Sequence, residues 1–335
     1  MIKRIIWYCI TFLLVCILVY AVQFMHFLII PADSSGVLKT VNIPAGISFK
    51  KVSAVLADNH IVKDKLNLKL LAYLMGATHK VKYGEYLLSS AMRPITIIEK
   101  LQNGEVVLHE VTIPEGYTDE EIAATLHTAG LLDDVNGFMT LTRDKVFIAG
   151  LGISADSLEG FLYPDTYELS KGLIPREIIK KMVNQFKSVY TPQLQARAKD
   201  IGMTTPQVVT LASMIEKETS VPAERFLISA VFHNRLKIGM RLQSDPTVIF
   251  AFHLTKDIIT KKDLRARNPY NTYRIKGLPP GPICNPGKES IIAALYPADV
   301  KYLYFVSKND GSHEFSETLK EHNHYVRIYQ RDNRR

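Results

Sequence analysis

Cysteine is scarce in this chain, with three in 335 residues. Cys9 and Cys16 fall inside a long apolar run and Cys284 stands alone in the remainder, so no disulfide can tie the folded parts together. Their stability has to come from a buried apolar core. Nucleotide signatures are missing as well: neither G-x-G-x-x-G nor G-x-x-x-x-G-K-[ST] occurs, which argues against phosphate chemistry. The His-Glu pairs at His109 and His313 are followed, at zincin spacing, by Ile113 and Glu317 rather than a second histidine, so no metal and no other cofactor is expected. His322 and His324 sit on a polar segment and read as a solvated face. No G-x-S-x-G elbow is present and Cys284 has no histidine near it, which leaves a serine or cysteine nucleophile without support. An excess of one charge is lacking too: 41 basic against 33 acidic side chains leave +8, two of it from Lys3 and Arg4. Nucleic acid is not implied; a mildly basic surface suits anionic wall polymer, lipid headgroups or plain solubility.

What is present begins with membrane material. Residues 5–30 contain no Asp, Glu, Lys or Arg. Twenty-six helical residues span about 39 Å, enough to cross a hydrocarbon layer of about 30 Å with some tilt. Lys3 and Arg4 on the short side predict that residues 1–4 stay in the cytoplasm and that everything after Pro31 lies outside the cytoplasmic (inner) membrane as a single-pass protein. A cleaved signal peptide is the competing reading; the run exceeds its usual apolar core of about 7 to 15 residues, and no A-x-A-like site follows.

Residues 31–38, polar with a glycine, read as a linker. Then a pattern recurs seventy residues apart: V-N-I-P-A-G-I-S-F-K-K-V-S-A-V-L from Val41 and V-T-I-P-E-G-Y-T-D-E-E-I-A-A-T-L from Val111. Each copy predicts a strand, a Pro-x-Gly turn and a helix capped by Ser48 or by Thr118, the latter boxed with Glu121. Units of this size resemble the carbohydrate-binding LysM type of module, with glycan binding and plain positioning both open. The expected fold is α+β: a transmembrane helix, a LysM-like α/β module over 39–110, and a mixed catalytic domain over 111–335 that starts with the second strand-turn-helix copy.

From Glu159 onward short polar and aromatic motifs alternate with a long helical stretch at 176–201 and with Pro and Gly turns, the texture of loops converging on one cleft. Thr205 and Pro206 open a further helix as N-cap and first helical residue. At about 100° per residue, Val208, Val209, Leu211, Ala212, Met214 and Ile215 cover one face and Thr210, Ser213 and Lys217 the other. Glu216 and Glu218 both fall within the apolar arc. A carboxyl group held there is desolvated, which raises its pKa as a general acid requires. The wheel equally allows two carboxylates at the core rim, paired with Lys217, Arg225 or Arg235.

Taken together, E-G-F-L-Y-P-D-T-Y, L-A-S-M-I-E-K-E-T, F-H-N-R-L, R-L-Q-S-D-P-T, Y-N-T-Y and G-L-P-P-G-P-I-C-N-P-G resemble the endolytic murein transglycosylases of the YceG-like family. The resemblance implies a membrane-anchored lytic transglycosylase that cuts new peptidoglycan strands beside wall-synthesis enzymes. It carries the catalytic glutamate onto Glu218, with Thr219 similar to the hydroxyl residue that follows the acid in other lytic transglycosylases. Glu216, Asn234, Gln243, Asp245 and Asn271 are then candidate polar contacts to sugar, and Tyr163, Tyr270 and Tyr273 candidate platforms under pyranose rings. Structural roles for each stay open, notably for Asp245 before Pro246 and for Asn271 between tyrosines. Two other readings compete: a muramidase-type hydrolase in which Glu216 or Asp245 activates water, and a non-catalytic glycan-binding anchor.

Overall fold

The computed structural model describes residues 2–34, 36–254 and 259–331. It is a mixed α+β structure led by the apolar helix α1 (Ile2–Ile29), whose mean hydropathy of 2.6 and 28 residues suffice to cross a membrane. Two compact units divide the chain, one made chiefly of residues 1–110 and the other chiefly of residues from 111 onward.

In the first unit the order is β1 (Leu38–Ile43), α2 (Phe49–Asp58), α3 (Lys65–Leu74), β2 (Gly84–Ser89) and α4 (Pro94–Asn103). β1 and β2 pair antiparallel, Val41 opposite Tyr86 and Ile43 opposite Gly84. The alternation of β1 turns Val41 and Ile43 inward, where they meet Leu56, Leu68, Leu88 and Ile97 in one apolar core. That burial is what holds so small a unit without disulfides. Phe24, Phe27 and Leu28 of α1 pack against the same core.

The repeat is real in three dimensions. β3 (His109–Thr112) again leads through a Pro-x-Gly turn into α5 (Asp119–Thr128), and Thr118 caps it in a box with Glu121 as the sequence predicts. Gly46 and Gly116 both take positive φ, 73° and 80°, which is the conformation that fixes glycine in the turn. Ser48 occupies its N-cap position but its side chain makes no capping bond.

The second unit continues with α6 (Val135–Leu141), α7 (Lys145–Gly150), β4 (Thr166–Leu169), α8 (Pro175–Val189) and α9 (Pro192–Asp200). The single helix expected over 176–201 is therefore two, broken where Pro192 removes a backbone donor and restricts Thr191 to an extended conformation. After them come α10 (Thr205–Glu218), α11 (Glu224–Lys237), α12 (Asp245–Phe252), α13 (Lys261–Arg265) and α14 (Lys288–Leu295). The chain closes with the antiparallel hairpin β5 (Tyr304–Ser307) and β6 (His313–Ser316), followed by α15 (Leu319–Val326).

At the centre lies α10, which packs most extensively on α14 and also on α9, α11 and α12. Its start sits one residue earlier than expected: Thr204 is the N-cap, boxed with Gln207, and Pro206 is the second helical residue. The polar stripe read from the wheel is likewise absent, because every residue from Val208 to Ile215 is buried, Thr210 and Ser213 included. Both hydroxyls are satisfied on the helix itself, Thr210 donating to the Pro206 carbonyl at 2.7 Å and Ser213 to the Thr210 carbonyl at 2.7 Å. Short hydroxyl side chains can pay their own hydrogen-bond debt in this way, so a wheel that equates polar with solvent misreads them.

Candidate active site

The last turn of α10 carries the two acids of E-K-E-T into different surroundings. Glu216 is held in an ion pair: its carboxylate accepts from Arg225 Nη2 at 3.4 Å and from the Gly287 N–H at 2.9 Å. Its side chain is 7% exposed and that of Arg225 10%. Gly287 is the N-cap of α14, so this carboxylate also meets the positive end of a helix. Glu115, from the second Pro-x-Gly turn, lies 3.9 Å from the same guanidinium, and its pKa is raised by burial and by Glu216.

Glu218 faces elsewhere. It lines a cleft of about 470 Å³ together with Arg235, Gln243, Asp245, Tyr273, Tyr304, His313 and His322. Its carboxyl accepts a 2.5 Å hydrogen bond from the Ser244 hydroxyl. Burial is the largest influence on its proton affinity and Asp245 adds to it; Ser244 and Arg235 pull the other way, and the balance leaves the pKa pushed up to about 7. That value suits a group that must give a proton away near neutrality and then take one back.

Ser244 is fixed by a polar stitch between two motifs. Its N–H donates to Thr272 Oγ1 at 2.9 Å, and Thr247 and Thr272 hydroxyls meet at 2.9 Å. R-L-Q-S-D-P-T and Y-N-T-Y are thereby joined. Gln243, between Leu242 and Ser244, adopts φ of 49°, a left-handed conformation unusual for a side chain of its size. Tyr273 donates to Asp245 Oδ1 at 2.5 Å across the cleft edge. Arg235 is buried, donates from Nε to the Leu303 carbonyl at 2.7 Å and from Nη1 to the Leu242 carbonyl, and stands 5.6 Å from the Tyr304 ring centroid. Desolvation lowers its pKa and Glu218 partly restores it.

The sequence-derived candidates thus divide by position. Glu218, Gln243, Asp245 and Tyr273 line the cleft. Thr219 ends α10 in an extended conformation and is buried behind the cleft, its hydroxyl accepting from the Val221 N–H at 3.0 Å and donating to Glu224 Oε2 at 3.2 Å. Asn234 spends its amide on the Val300 and Tyr302 carbonyls at 2.8 and 3.0 Å. Asn271 is fully buried and its amide donates to the Asp263, Leu264 and Ala266 carbonyls, bracing its own loop. Tyr270 packs against Phe250 at 5.0 Å between ring centroids. Tyr163 is buried, with its carbonyl taken by the Tyr167 hydroxyl and its own pKa pushed up to about 12 by burial. Neither Tyr163 nor Tyr270 is among the residues that line the cleft.

Sequence reading passed over Ser244, Tyr304, His313 and His322. Ser244 sits inside R-L-Q-S-D-P-T between Gln243 and Asp245, and its place as N-cap of α12, just before Asp245-Pro246, is the signal in the sequence. His322 was expected in solvent; instead it stacks on Tyr304 at 5.3 Å, and burial lowers its pKa. His324 is the exposed one.

A second group of acids lies in the same unit, away from the cleft. Asn285 Nδ2 donates to Asp119 Oδ1 at 3.1 Å, Glu159 Oε1 at 3.4 Å and the Tyr117 carbonyl at 3.0 Å. Its Oδ1 accepts from the Leu162 N–H at 2.8 Å, and the Asp119 N–H donates to Glu159. Burial pushes Asp119 up to about 7 and raises Glu159 well above the usual carboxylate range, with Asp119 as the next cause. Beside them, Cys284 is buried against the Ser213 carbonyl and its thiol pKa is raised by burial, so it has the environment of an inert core cysteine.

A carboxyl of raised proton affinity, opening on a polar and aromatic cleft and anchored by one hydroxyl, defines a general acid–base site for a polar ligand. The chain belongs to the YceG-like family, whose profile matches residues 41–328. It is 36% identical over 302 residues to the endolytic murein transglycosylase of Bacillus subtilis, covering 84% of this chain and 82% of that protein. It is 28% identical over 341 residues to the endolytic murein transglycosylase of Streptococcus pneumoniae, covering 92% of this chain and 61% of that longer protein. Among solved structures, a YceG-like protein from Listeria monocytogenes superposes with a TM-score of 0.61 at 35% identity, over 87% of this chain and all of the other.

Proposed function

We propose that this protein is an endolytic peptidoglycan lytic transglycosylase whose general acid is Glu218. The names of the Bacillus and Streptococcus relatives support the reaction class. The observation that carries the residue assignment is the carboxyl of Glu218, raised to about 7 yet open to the cleft. In this reading it protonates the oxygen between N-acetylmuramic acid and N-acetylglucosamine. As carboxylate it then takes the proton from the muramic acid 6-hydroxyl while that oxygen closes onto C1. The product is a 1,6-anhydro end, and no second catalytic carboxylate is needed, unlike in two-carboxylate hydrolases.

Gln243, Asp245 and Tyr273 contact the sugar directly, while Glu216, Thr219, Asn234 and Asn271 hold the walls. The apolar α1 anchors the protein in the cytoplasmic membrane, its Lys3 and Arg4 end inside. The order β1-α2-α3-β2 supports a LysM-like reading of the first unit, with glycan as its ligand. Wall-synthesis enzymes are the partners such an activity calls for.

The full chain in detergent, incubated with purified uncrosslinked glycan, should release anhydro-ended fragments, and Glu218→Gln should release none. Asp245, in the same cleft, favours one alternative, a hydrolase in which it activates water. Reducing ends in the same digest would select that alternative and sink the transglycosylase.

A further inference from the structure

β6 begins with a histidine that has no part in the acid–base cycle of Glu218. The register sets His313 opposite Ser307 and Phe315 opposite Phe305, so these four share a face of the hairpin. Phe305 meets Phe232 of α11 edge-on at 6.2 Å and the His313 ring edge-on at 5.5 Å, which fixes the imidazole against a rigid aromatic wall. His313 lines the same cleft as Glu218, and its side chain is only 12% exposed.

One carboxylate holds that ring from behind. Glu224 accepts the His313 backbone N–H at 2.8 Å through Oε1 and meets His313 Nδ1 at 2.7 Å through Oε2. Oε2 also takes the Thr219 hydroxyl, whose oxygen is already occupied by the Val221 N–H. Since a carboxylate only accepts, the Nδ1 position must carry hydrogen. When the ring is neutral its lone pair then belongs to Nε2, the nitrogen left for the cleft that His313 lines. Thr219 follows Glu218 directly, so the same brace that orients the imidazole is bonded to the residue beside the acid.

We propose that His313 is a substrate-binding residue, its tautomer set by Glu224, whose Nε2 accepts a hydrogen bond from a sugar hydroxyl or acetamido N–H of the glycan. It rests on the reading of this cleft as the glycan site. A buried histidine needed only for packing would have no use for a carboxylate that dictates which nitrogen faces the ligand.

Glu224→Gln is a discriminating change. The backbone N–H of His313 can only donate, so the amide oxygen turns to it and the amide NH₂ meets Nδ1. The hydrogen is then driven to Nε2, converting an acceptor in the cleft to a donor at almost constant shape. Binding of short uncrosslinked glycan fragments to the full chain in detergent, measured by calorimetry in the Glu218→Gln background, should weaken about tenfold with His313→Ala, as expected for one lost hydrogen bond at the upper end of the usual range. Glu224→Gln should weaken it similarly, and His313→Gln, whose amide reaches to where Nε2 stood, should recover most of it. Nitrogen-detected spectra of labelled histidine should show hydrogen on Nδ1, its transfer to Nε2 in Glu224→Gln, and a shift of the His313 Nε2 resonance when glycan is added.

Affinity unchanged within about twofold in both His313→Ala and Glu224→Gln overturns the proposal, even if both variants melt earlier, for the pair is then a structural brace. Should His313→Ala not fold, a Nε2 resonance indifferent to glycan overturns it in the intact chain. Turnover by Glu218→Gln would instead sink the acid assignment, and leaves these affinity readings as they are.

Discussion

Two regions of the second unit hold carboxyl groups whose proton affinity burial has raised, and they differ in everything else. Glu218 has one hydroxyl partner and an opening to a cleft. Asp119 and Glu159 share the amide of Asn285 inside the packed end of the unit, where the turn after β3 meets the loop before α14. Burial of a titratable group therefore does not by itself mark chemistry; access for a ligand does. The first arrangement can exchange its proton with a bound molecule, and in the second the Asn285 amide fastens segments distant in sequence.

The contrast can be broken most directly at Glu218. Glu218→Gln should lower kcat on glycan by about a thousandfold or more, the scale of a lost acid–base group, while the melting temperature holds or rises. A variant of Asn285 is the opposite case: Asn285→Ala strands two buried carboxyls and the Leu162 N–H, costing about 2 to 4 kcal/mol in chemical denaturation, with activity per folded molecule little changed. Loss of activity without loss of stability there would erase the distinction.

Glu216→Gln sharpens the comparison within one helix turn. It should cost about 1 to 3 kcal/mol through the Arg225 pair and leave kcat within a few-fold. An inactive Glu216→Gln beside an active Glu218→Gln would show the two roles exchanged. The pH dependence is subtler. Asp119 and Glu218 are raised to about 7 in the folded chain against about 4 when unfolded. The folded state thus holds more protons between those values, and stability should fall as pH rises from 5 through 7, then level. Asp119→Asn should flatten that slope in denaturant titrations, and a steeper slope would contradict it. The alkaline limb of kcat/KM should follow Glu218 near 7 and ignore the Asp119 change.

The helix that carries the acid was legible because Thr-Pro caps and a dense apolar run are local signals. So was the seventy-residue repeat, since its Pro-x-Gly turns impose the same backbone twice. What the sequence hid is tertiary. Residues 119, 159 and 285 have no periodic relation, and neither do Glu224 and His313, so only folding brings each set together. The wheel put Glu216 and Glu218 on one arc and could not say that a guanidinium waits for one and a hydroxyl for the other. Asn271 and Asn234 looked like sugar contacts because amides suit both sugars and backbone carbonyls, and here carbonyls have claimed them.

Tyr304, His313 and His322 stand nearly ninety residues or more downstream of Glu218, and Asn234 and Arg235 grip the carbonyls of Val300, Tyr302 and Leu303 just before that wall begins. A chain ending at residue 300 would already own Glu218 and lack the facing side of the groove. The groove is thus a late product of the chain: the hairpin must fold back and be caught by α11 before Glu218 has a wall to face.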